Sequence, residues 1–502
     1  MSPEHRHDGR TVTTSTTASH RRAQTAGFVT SASFVPFVRI VFFVVFVAAC
    51  GTAFAAPAPT MRVDYYHSGN DKQEAFSLDR IVIEPLPWAG NPRRPVDTTN
   101  SGKYFFEVVD QASGMTLYSR GFASVYGEWE TTEEAQKMNR TYSESLRFPA
   151  VDKPARVVVR KRDAANAFRE IWRFDIDPAD KFIVRGEKKA DAGALIKLHE
   201  RGDPATKLDL LILGDGYTAA QRGKFERDAQ RLLKVLFAAS PFKERENDIN
   251  VWGLVPASPE AGVSRPSQGI HKRTPLGATY DAFDSERYIL TFENRTLREI
   301  AANAPYDVME ILTNSQTYGG GGIFNLYSTV AADSAWAPYI FVHEFGHHLA
   351  GLADEYYTSQ VAYLPASTRV EPWEPNVTAL LDPATLKWKD LVTPGTPLPT
   401  PWAKEEQEAY DADYQKRRQA IRAANRPETE MDALFREAMA RSTEILAKSP
   451  YAKNVGAFEG ANYEAKGYYR PQVDCIMFSR NVSWFCAVCR RALSNILDLY
   501  ST

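Results

Sequence analysis

Residues 339–357 restrict the fold of this chain more than any other segment, because an apolar stretch here carries the pattern His-Glu-x-x-His. Pro338 suits the first turn of a helix, and the apolar residues after it are typical of a buried helix. His343 and His347 are four positions apart and therefore lie on one face of that helix. The segment predicts a core helix that directs two imidazoles toward a single point.

Two imidazoles on one helical face are suited to hold one Zn²⁺ ion per chain. Glu344, next to the first histidine, is placed to take a proton from a zinc-bound water, whose pKa the metal lowers to about 7. The alternative is a pair of histidines satisfied within a core helix, but a buried glutamate is costly without a metal or a partner. His348 points about 100° away around the helix, so we expect it to serve packing or hydrogen bonding.

A catalytic zinc normally has three protein ligands, so a third must be found for His343 and His347. Gly351 is a typical helix terminator and would let the chain turn back toward the metal. We expect Asp354 as the third ligand, with Glu355 or a distant residue as alternatives. The carboxylate that is not a ligand would orient a histidine.

The apolar run at residues 40–49 follows Arg39 and has the length of a signal-peptide core, too short to span a membrane. Cleavage after Ala55 competes with a lipobox in which Cys50 accepts a lipid. We therefore expect an exported protein that is secreted, periplasmic or anchored at the cell surface, with residues 1–55 as N-terminal extension and signal peptide.

Cysteines offer a second constraint, since only Cys475, Cys486 and Cys489 follow the predicted signal peptide. Export implies an oxidising compartment, so we expect one disulfide and one free thiol. A structural zinc held by Cys486 and Cys489 is the alternative, but such a site needs four ligands and the sequence has no second cysteine pair.

The chain divides into two parts in an α+β multidomain fold. Residues 61–180 alternate short strands with polar turns and predict a β-sandwich-like accessory domain. Residues 195–502 read as an α/β catalytic domain that includes the metal helix. Within it, residues 392–450 combine a Pro-rich spacer with a charged helical insertion, interpreted as a solvated hairpin or alternatively a specificity element.

Four consecutive glycines, Gly319–Gly322, precede a probable strand at Ile323–Val330. We interpret the glycines as a flexible loop, with gating of substrate entry as the alternative. The strand could bind an extended peptide as an added strand. Met477, near the C-terminus, could lie in a turn beneath the metal site, as the Met-turn does in metzincins.

Four segments together resemble the bacterial IgA peptidase family of zinc metallopeptidases: LDLLILGDGYT at 208–218, HEFGHHLAGLADEYY at 343–357, EPWEPNVT at 371–378 and DCIMFS at 474–479. The resemblance implies a β-sandwich-like domain followed by a zincin-type catalytic domain. It also implies His343 and His347 as zinc ligands, Glu344 as the base and an acidic third ligand at Asp354 or Glu355. The sequence departs by one residue from the metzincin pattern, which would place the third ligand at Ala353.

The charge balance, 60 basic against 62 acidic residues, gives a net charge of -2 and excludes a general field that would recruit nucleic acid or anionic lipid. We expect a secreted zinc-dependent endopeptidase acting on protein or peptide substrates by Glu-assisted attack of zinc-bound water, with membrane contact only through a lipid on Cys50. The alternatives are a zinc hydrolase of a non-peptide amide bond and an exported binding protein with a structural zinc. Glu344 argues against the binding protein, because a structural site needs no base.

Overall fold

The computed structural model describes residues 58–358, 369–480 and 484–501. The predicted signal peptide, the cleavage site at Ala55 and the lipidation site at Cys50 lie outside these residues. The described residues form one compact unit. Across the described ranges, no helix combines the length and apolar character that a membrane crossing requires.

Two four-stranded sheets form the N-terminal domain. One has the strand order β5-β1-β2-β8 and the other β4-β3-β6-β7. Alternate residues of facing strands, such as Val63 and Phe106, are buried in one core between the sheets. The sheets therefore pack face to face, in agreement with the strand pattern of this region. The strands are β1 (Pro59–Gly69), β2 (Glu74–Pro87), β3 (Tyr104–Asp110), β4 (Thr116–Phe122), β5 (Arg140–Pro149), β6 (Ala155–Arg162), β7 (Phe168–Ile176) and β8 (Val184–Arg185), with a short helix α1 (Val125–Trp129).

A six-stranded mixed sheet forms the centre of the second part of the chain. Its order is β13-β14-β12-β10-β11-β9, with the inner strands parallel and both edge strands antiparallel to their neighbours. The inner strand Leu208–Asp215 is buried at every residue, as expected for a strand covered on both faces. The strands are β9 (Ile196–His199), β10 (Leu208–Asp215), β11 (Ile249–Leu254), β12 (Val308–Thr313), β13 (Gly320–Ile323) and β14 (Tyr327–Ala331).

Helices cover both faces of this sheet. The helices α2 (Arg222–Leu236) and α4 (Ala337–Ala350) share a core with Leu210 and Ile212 of β10. On the opposite face, α3 (Asn294–Ala301) and the helix α1 of the N-terminal domain share a second core with Leu211 and Leu213. Alternate side chains of β10 point to opposite faces of the sheet. One face packs within the catalytic domain, and the other packs against the N-terminal domain.

The helical insertion is a hairpin of α5 (Lys404–Ala423) and α6 (Glu428–Ala447), as predicted. It is not solvated on all sides, because Phe435 packs edge to face on Tyr318 with ring centroids 5.0 Å apart. A β-hairpin of β15 (Phe458–Ala461) and β16 (Glu464–Arg470) and the final helix α7 (Ala487–Tyr500) complete the chain.

The glycine run corrects our prediction of a flexible loop, since Gly320–Ile323 is the edge strand β13. A Cβ on Gly322 would overlap the carbonyl oxygen of Glu344, and a Cβ on Gly320 would overlap the side chain of Ile340. The glycines therefore let an edge strand lie directly against α4. The predicted strand at 323–330 is also wrong in its bounds, because the chain turns after Ile323 and β14 begins only at Tyr327.

Candidate metal centre

The helix α4 ends as its sequence predicted. Pro338 lies in its first turn, and Gly351 follows its last residue in the left-handed conformation, with φ 58°. The Gly351 amide closes the last turn on the carbonyl of His347. The chain then reverses and brings Asp354 back over the face that carries His343 and His347.

Three side-chain atoms converge at this point. The Nε2 atoms of His343 and His347 are 3.2 Å apart, and Oδ1 of Asp354 lies 3.1 Å and 3.3 Å from them. A tetrahedral zinc with bonds of about 2.0 to 2.1 Å would separate its ligands by about 3.3 Å. Asp354 Oδ1 is buried and has no hydrogen-bond partner among the described residues. The three atoms therefore fit a bound metal ion.

The hydrogen bonds of the two histidines fix their tautomers. His343 Nδ1 donates to the carbonyl of Ile476 at 2.9 Å, and His347 Nδ1 donates to the carbonyl of Leu352. Because a carbonyl oxygen can only accept, Nδ1 carries the proton in both rings. The Nε2 lone pairs are then available to a metal, as in most metal-bound histidines.

A β-hairpin turn holds the carboxylate of Asp354. Asn462 and Tyr463 connect β15 to β16 with φ of 54° and 63°, the conformation that a two-residue type I′ turn requires. Their amides donate to the carbonyls of Asp354 and Tyr356, at 3.0 and 3.1 Å. The Tyr463 hydroxyl donates to Asp354 Oδ2. The sequence analysis missed Tyr463, since only its position in a turn between short strands marks it.

Glu344 lies beside the two histidines, with a carboxylate oxygen within 4.8 Å of a ring nitrogen of each. Burial raises the pKa of its carboxyl above the ordinary value of 4.5, while the neighbouring histidines act against this rise. A carboxylate with a raised pKa is suited to general base catalysis near neutral pH. The four predicted residues His343, Glu344, His347 and Asp354 thus meet at one place.

Two family models match the chain. Residues 196–497 match the model described as IgA Peptidase M64, and residues 54–173 match the model described as Peptidase M64 N-terminus. The first match alone covers more than half of the chain. This chain belongs to the M64 family of IgA peptidases. It is therefore a metallopeptidase, with proteins or peptides as substrates, and the resemblance drawn from its sequence is confirmed. No curated protein matches the sequence significantly.

Glu355 of this M64 peptidase points away from the histidines. Asn376 donates to its Oε1 at 3.0 Å and also pairs with the backbone of Ala353. Asp354 faces the two histidines, whereas Glu355 contacts Asn376 and the thiols of Cys486 and Cys489. The expectation that the second carboxylate orients a histidine is therefore wrong.

The metal centre opens into a cleft of about 530 Å³. Glu344, His347 and Asp354 line this cleft together with the glycines of β13. The N-terminal domain contributes Lys103 and Arg162 to the lining. This domain, predicted as an accessory, is thus in a position to contact a substrate.

Of the two tyrosines that follow Glu355, Tyr356 lines this cleft. Arg287, which the sequence analysis missed, donates to its hydroxyl at 3.2 Å. Tyr357 instead packs against Gly460, and Arg480 donates to the hydroxyl of Tyr318 at 3.0 Å.

His348 and Met477 have the supporting positions that we expected. His348 donates from Nδ1 to the carbonyl of Ile323 at 3.1 Å and accepts from the amide of Met309 at 3.0 Å. Burial lowers the pKa of His348 to about 3, so it is neutral. The sulfur of Met477 lies beneath α4, 3.2 Å from the position of a Cβ on Gly346.

The predicted disulfide is not present. Cys475, Cys486 and Cys489 are all free and buried. Sγ of Cys475 lies 3.9 Å from Sγ of Cys489, whereas a disulfide requires about 2.05 Å. The three thiols instead surround the carboxylate of Glu355.

Proposed function

We propose that this chain is a secreted zinc-dependent endopeptidase in which His343, His347 and Asp354 hold the metal and Glu344 is the catalytic base. The observation that carries the proposal is the convergence of three lone-pair atoms on one point, with both imidazole protons directed elsewhere. Three protein ligands beside a cleft are typical of a catalytic site, since a structural site closes with four.

A zinc ion bound there would polarise the scissile carbonyl and lower the pKa of the attacking water. Glu344 accepts a proton from that water and passes it to the leaving amine, so one carboxylate serves both halves of the reaction.

Tyr356 is placed to stabilise the developing negative charge on the substrate. It lines the cleft together with Glu344, and its hydroxyl accepts a hydrogen bond from the partly buried guanidinium of Arg287. The phenol can then donate its own proton to the carbonyl oxygen under attack, with the positive charge of Arg287 behind it. A donor of this kind commonly contributes about 10²–10³ in kcat.

An extended peptide has one edge of the six-stranded sheet available on the cleft side. We predicted that a peptide could pair with the strand at residues 323–330. Most of that strand is β14, which lies between β13 and β12 and therefore cannot receive a further partner. β13 is the edge, although Gly320 already pairs with the segment of Arg287 and Ile289. Gly322 directs its N–H and C=O to the same side as Gly320 and lines the cleft, so we assign substrate pairing to Gly322.

The mixed sheet with an antiparallel edge strand, the metal helix beside it and Met477 below together support a zincin-type catalytic domain. Secretion rests on the sequence of residues 1–55. N-terminal analysis of the exported protein tests it: a chain that begins at Ala56, or at a lipidated Cys50, supports export, whereas recovery of the intact chain in the cytoplasm contradicts it.

Proteolysis of a mixed protein panel, including IgA, tests the activity. Wild type should release peptides, and Glu344→Gln should lower the rate by about 10²–10⁴-fold, the usual contribution of a general acid–base group. Metal content is measured on the same samples, and Glu344→Gln should retain the metal of wild type. Equal cleavage by both proteins would contradict the role of Glu344, and no cleavage of any protein by metal-loaded wild type would contradict the endopeptidase assignment.

A further inference from the structure

A second cluster of metal-ligating side chains lies behind the catalytic centre. Cys475, Cys486, Cys489 and Glu355 are each fully buried, and one ligand atom from each lies within 4.8 Å of all the others. The four come from distant parts of the sequence: the segment after α4, the turn before residue 480 and the first turn of α7. From the sequence, only Cys486 and Cys489 were considered as ligands of a structural zinc.

The distances in this cluster match a metal cage. Sγ of Cys475 and Sγ of Cys489 are 3.9 Å apart, and Oε1 of Glu355 lies 3.4 Å from Sγ of Cys489 and 4.0 Å from Sγ of Cys486. Tetrahedral zinc with Zn–S bonds of about 2.3 Å would separate two sulfurs by about 3.8 Å and a sulfur and an oxygen by about 3.6 Å.

Backbone hydrogen-bond donors and a buried cation lie close to the sulfurs. The amide of Cys486 donates to Sγ of Cys475 at 3.2 Å, and the amide of Cys489 donates to Sγ of Cys486 at 3.4 Å. Cys486 is the N-cap of α7, where the helix dipole stabilises negative charge. The buried guanidinium of Arg470, whose donors go to backbone carbonyls, interacts electrostatically with Glu355 and Cys475.

Glu355 also presents an unsatisfied atom. Its Oε2 is buried and has no hydrogen-bond partner among the described residues. A buried carboxylate oxygen without a partner is costly, and a cation bound beside it would remove that cost.

We propose that Cys475, Cys486, Cys489 and Glu355 bind a second metal ion, zinc or another thiophilic divalent cation, at a closed structural site. Four protein ligands in a fully buried setting leave no open position for substrate, which distinguishes this site from the catalytic one. Three thiolates select soft or borderline cations over Mg²⁺ and Ca²⁺.

This second ion fixes the catalytic ligands through the backbone. Glu355 follows Asp354 directly, and Cys475 precedes Ile476, whose carbonyl accepts the Nδ1 proton of His343. The amide of Glu355 also donates to the carbonyl of Met477 at 2.9 Å. One ion thus holds together the two segments that position Asp354 and His343, and its four ligands are positioning residues.

Metal counting on the full chain carrying Cys50→Ser tests the proposal, because the clustered cysteines are then its only thiols. The parent should hold two zinc ions per chain, and His343→Ala/His347→Ala should hold one. With Co²⁺ in place of zinc, the histidine variant should retain the thiolate-to-cobalt charge-transfer absorption. This readout needs no peptidase activity, so it stands or falls separately from the proposed function.

Two outcomes would overturn the site. One is a parent with a single zinc and no thiolate-to-cobalt absorption. The other is mass spectrometry of the denatured, alkylated parent that shows a disulfide between any two of the three cysteines.

A conservative substitution tests whether Glu355 is a metal ligand without disrupting the fold. Glu355→Gln keeps the three thiolates, and in the histidine background it should weaken cobalt binding at the remaining site, measured by competition with a chromophoric chelator. Asp152→Asn, an exposed carboxylate in the N-terminal domain, is the matched control and should leave binding unchanged. Equal affinity of Glu355→Gln and its parent would remove Glu355 from the ligand set and contradict the proposed four-ligand site.

Discussion

Tyr463 connects the β15–β16 hairpin to the metal centre through a single hydroxyl. Its hydrogen bond to Oδ2 of Asp354 orients the other oxygen, Oδ1, toward the two histidines. Partners of metal ligands commonly contribute about 10–100-fold to metal affinity. We therefore expect Tyr463→Phe to lower the affinity of the catalytic metal by this factor, measured by chelator competition. Tyr469→Phe, on the same hairpin, is the control, and equal affinities in the two variants would show that Tyr463 does not orient Asp354.

Asp209 is a buried acid whose effect on stability depends on pH. Burial raises the pKa of its carboxyl above the ordinary 3.8, and the charge of Asp307 raises it further. Between pH 3.8 and the raised pKa, the folded protein keeps a proton that the unfolded chain releases. The protonated carboxyl therefore contributes to the free energy of unfolding below pH 3.8, and this contribution is lost as the pH rises through the raised pKa.

Asp209→Asn removes this titration while keeping the acceptor for Asn250 and Trp252. The variant should gain stability relative to wild type as the pH rises, measured by urea unfolding across a pH series. Asp152→Asn, at an exposed position, should show no such trend. A constant difference between Asp209→Asn and wild type at every pH would contradict the raised pKa.

The edge strand β13 depends on glycine because it touches the metal helix. A Cβ on Gly322 would overlap the backbone of Glu344, so Gly322→Ala must displace either the strand or the helix. Overpacking of this kind costs about 1–3 kcal/mol. We expect that loss in the free energy of unfolding, together with reduced peptidase activity.

The matched control for Gly322→Ala is Gly223→Ala in helix α2, where an added Cβ meets only the end of the Arg227 side chain at 3.6 Å. The same substitution should stabilise there by up to about 1 kcal/mol. Similar effects at the two glycines would mean that β13 tolerates a side chain.

At the level of elements, local signals decided which predictions succeeded. Pro338, the His-Glu-x-x-His pattern and Gly351 specify α4 and its end within one segment, so helix and candidate ligands could be predicted together. The strand β13 could not be predicted, because glycine is unfavourable in strands. Only its close contact with α4 explains why glycines occupy it. Likewise, Glu355 and the cysteines meet only through tertiary packing, so the oxidising compartment that export implies led us to predict a disulfide instead.

The N-terminal domain and the catalytic domain share buried contacts as well as the cleft. Arg147 of the first stacks on the ring of Tyr306 of the second at 3.6 Å and donates to its carbonyl at 3.1 Å. The same guanidinium pairs with buried Glu84. Sequence analysis treated the first domain as separate, because contacts between distant segments leave no local pattern.

Arg147→Ala leaves Glu84 buried with one of its two arginine partners removed. Breaking a buried ion pair costs on the order of 3 kcal/mol, so the free energy of unfolding should fall by about that amount. Arg156→Ala removes an exposed pair with Asp175 in the same domain and should cost less than about 1 kcal/mol. Equal losses would show that the buried contacts of Arg147 stabilise the protein no more than an exposed ion pair does.

Zinc titration into the chelator-stripped chain, with peptide cleavage and metal content followed together, tests whether the metal bound by His343, His347 and Asp354 is required for cleavage. Cleavage should return in step with metal binding at these residues, and Glu344→Gln should take up the same metal but cleave about 10²–10⁴-fold more slowly. Cleavage by the stripped chain, or full cleavage by zinc-loaded Glu344→Gln, would contradict this mechanism.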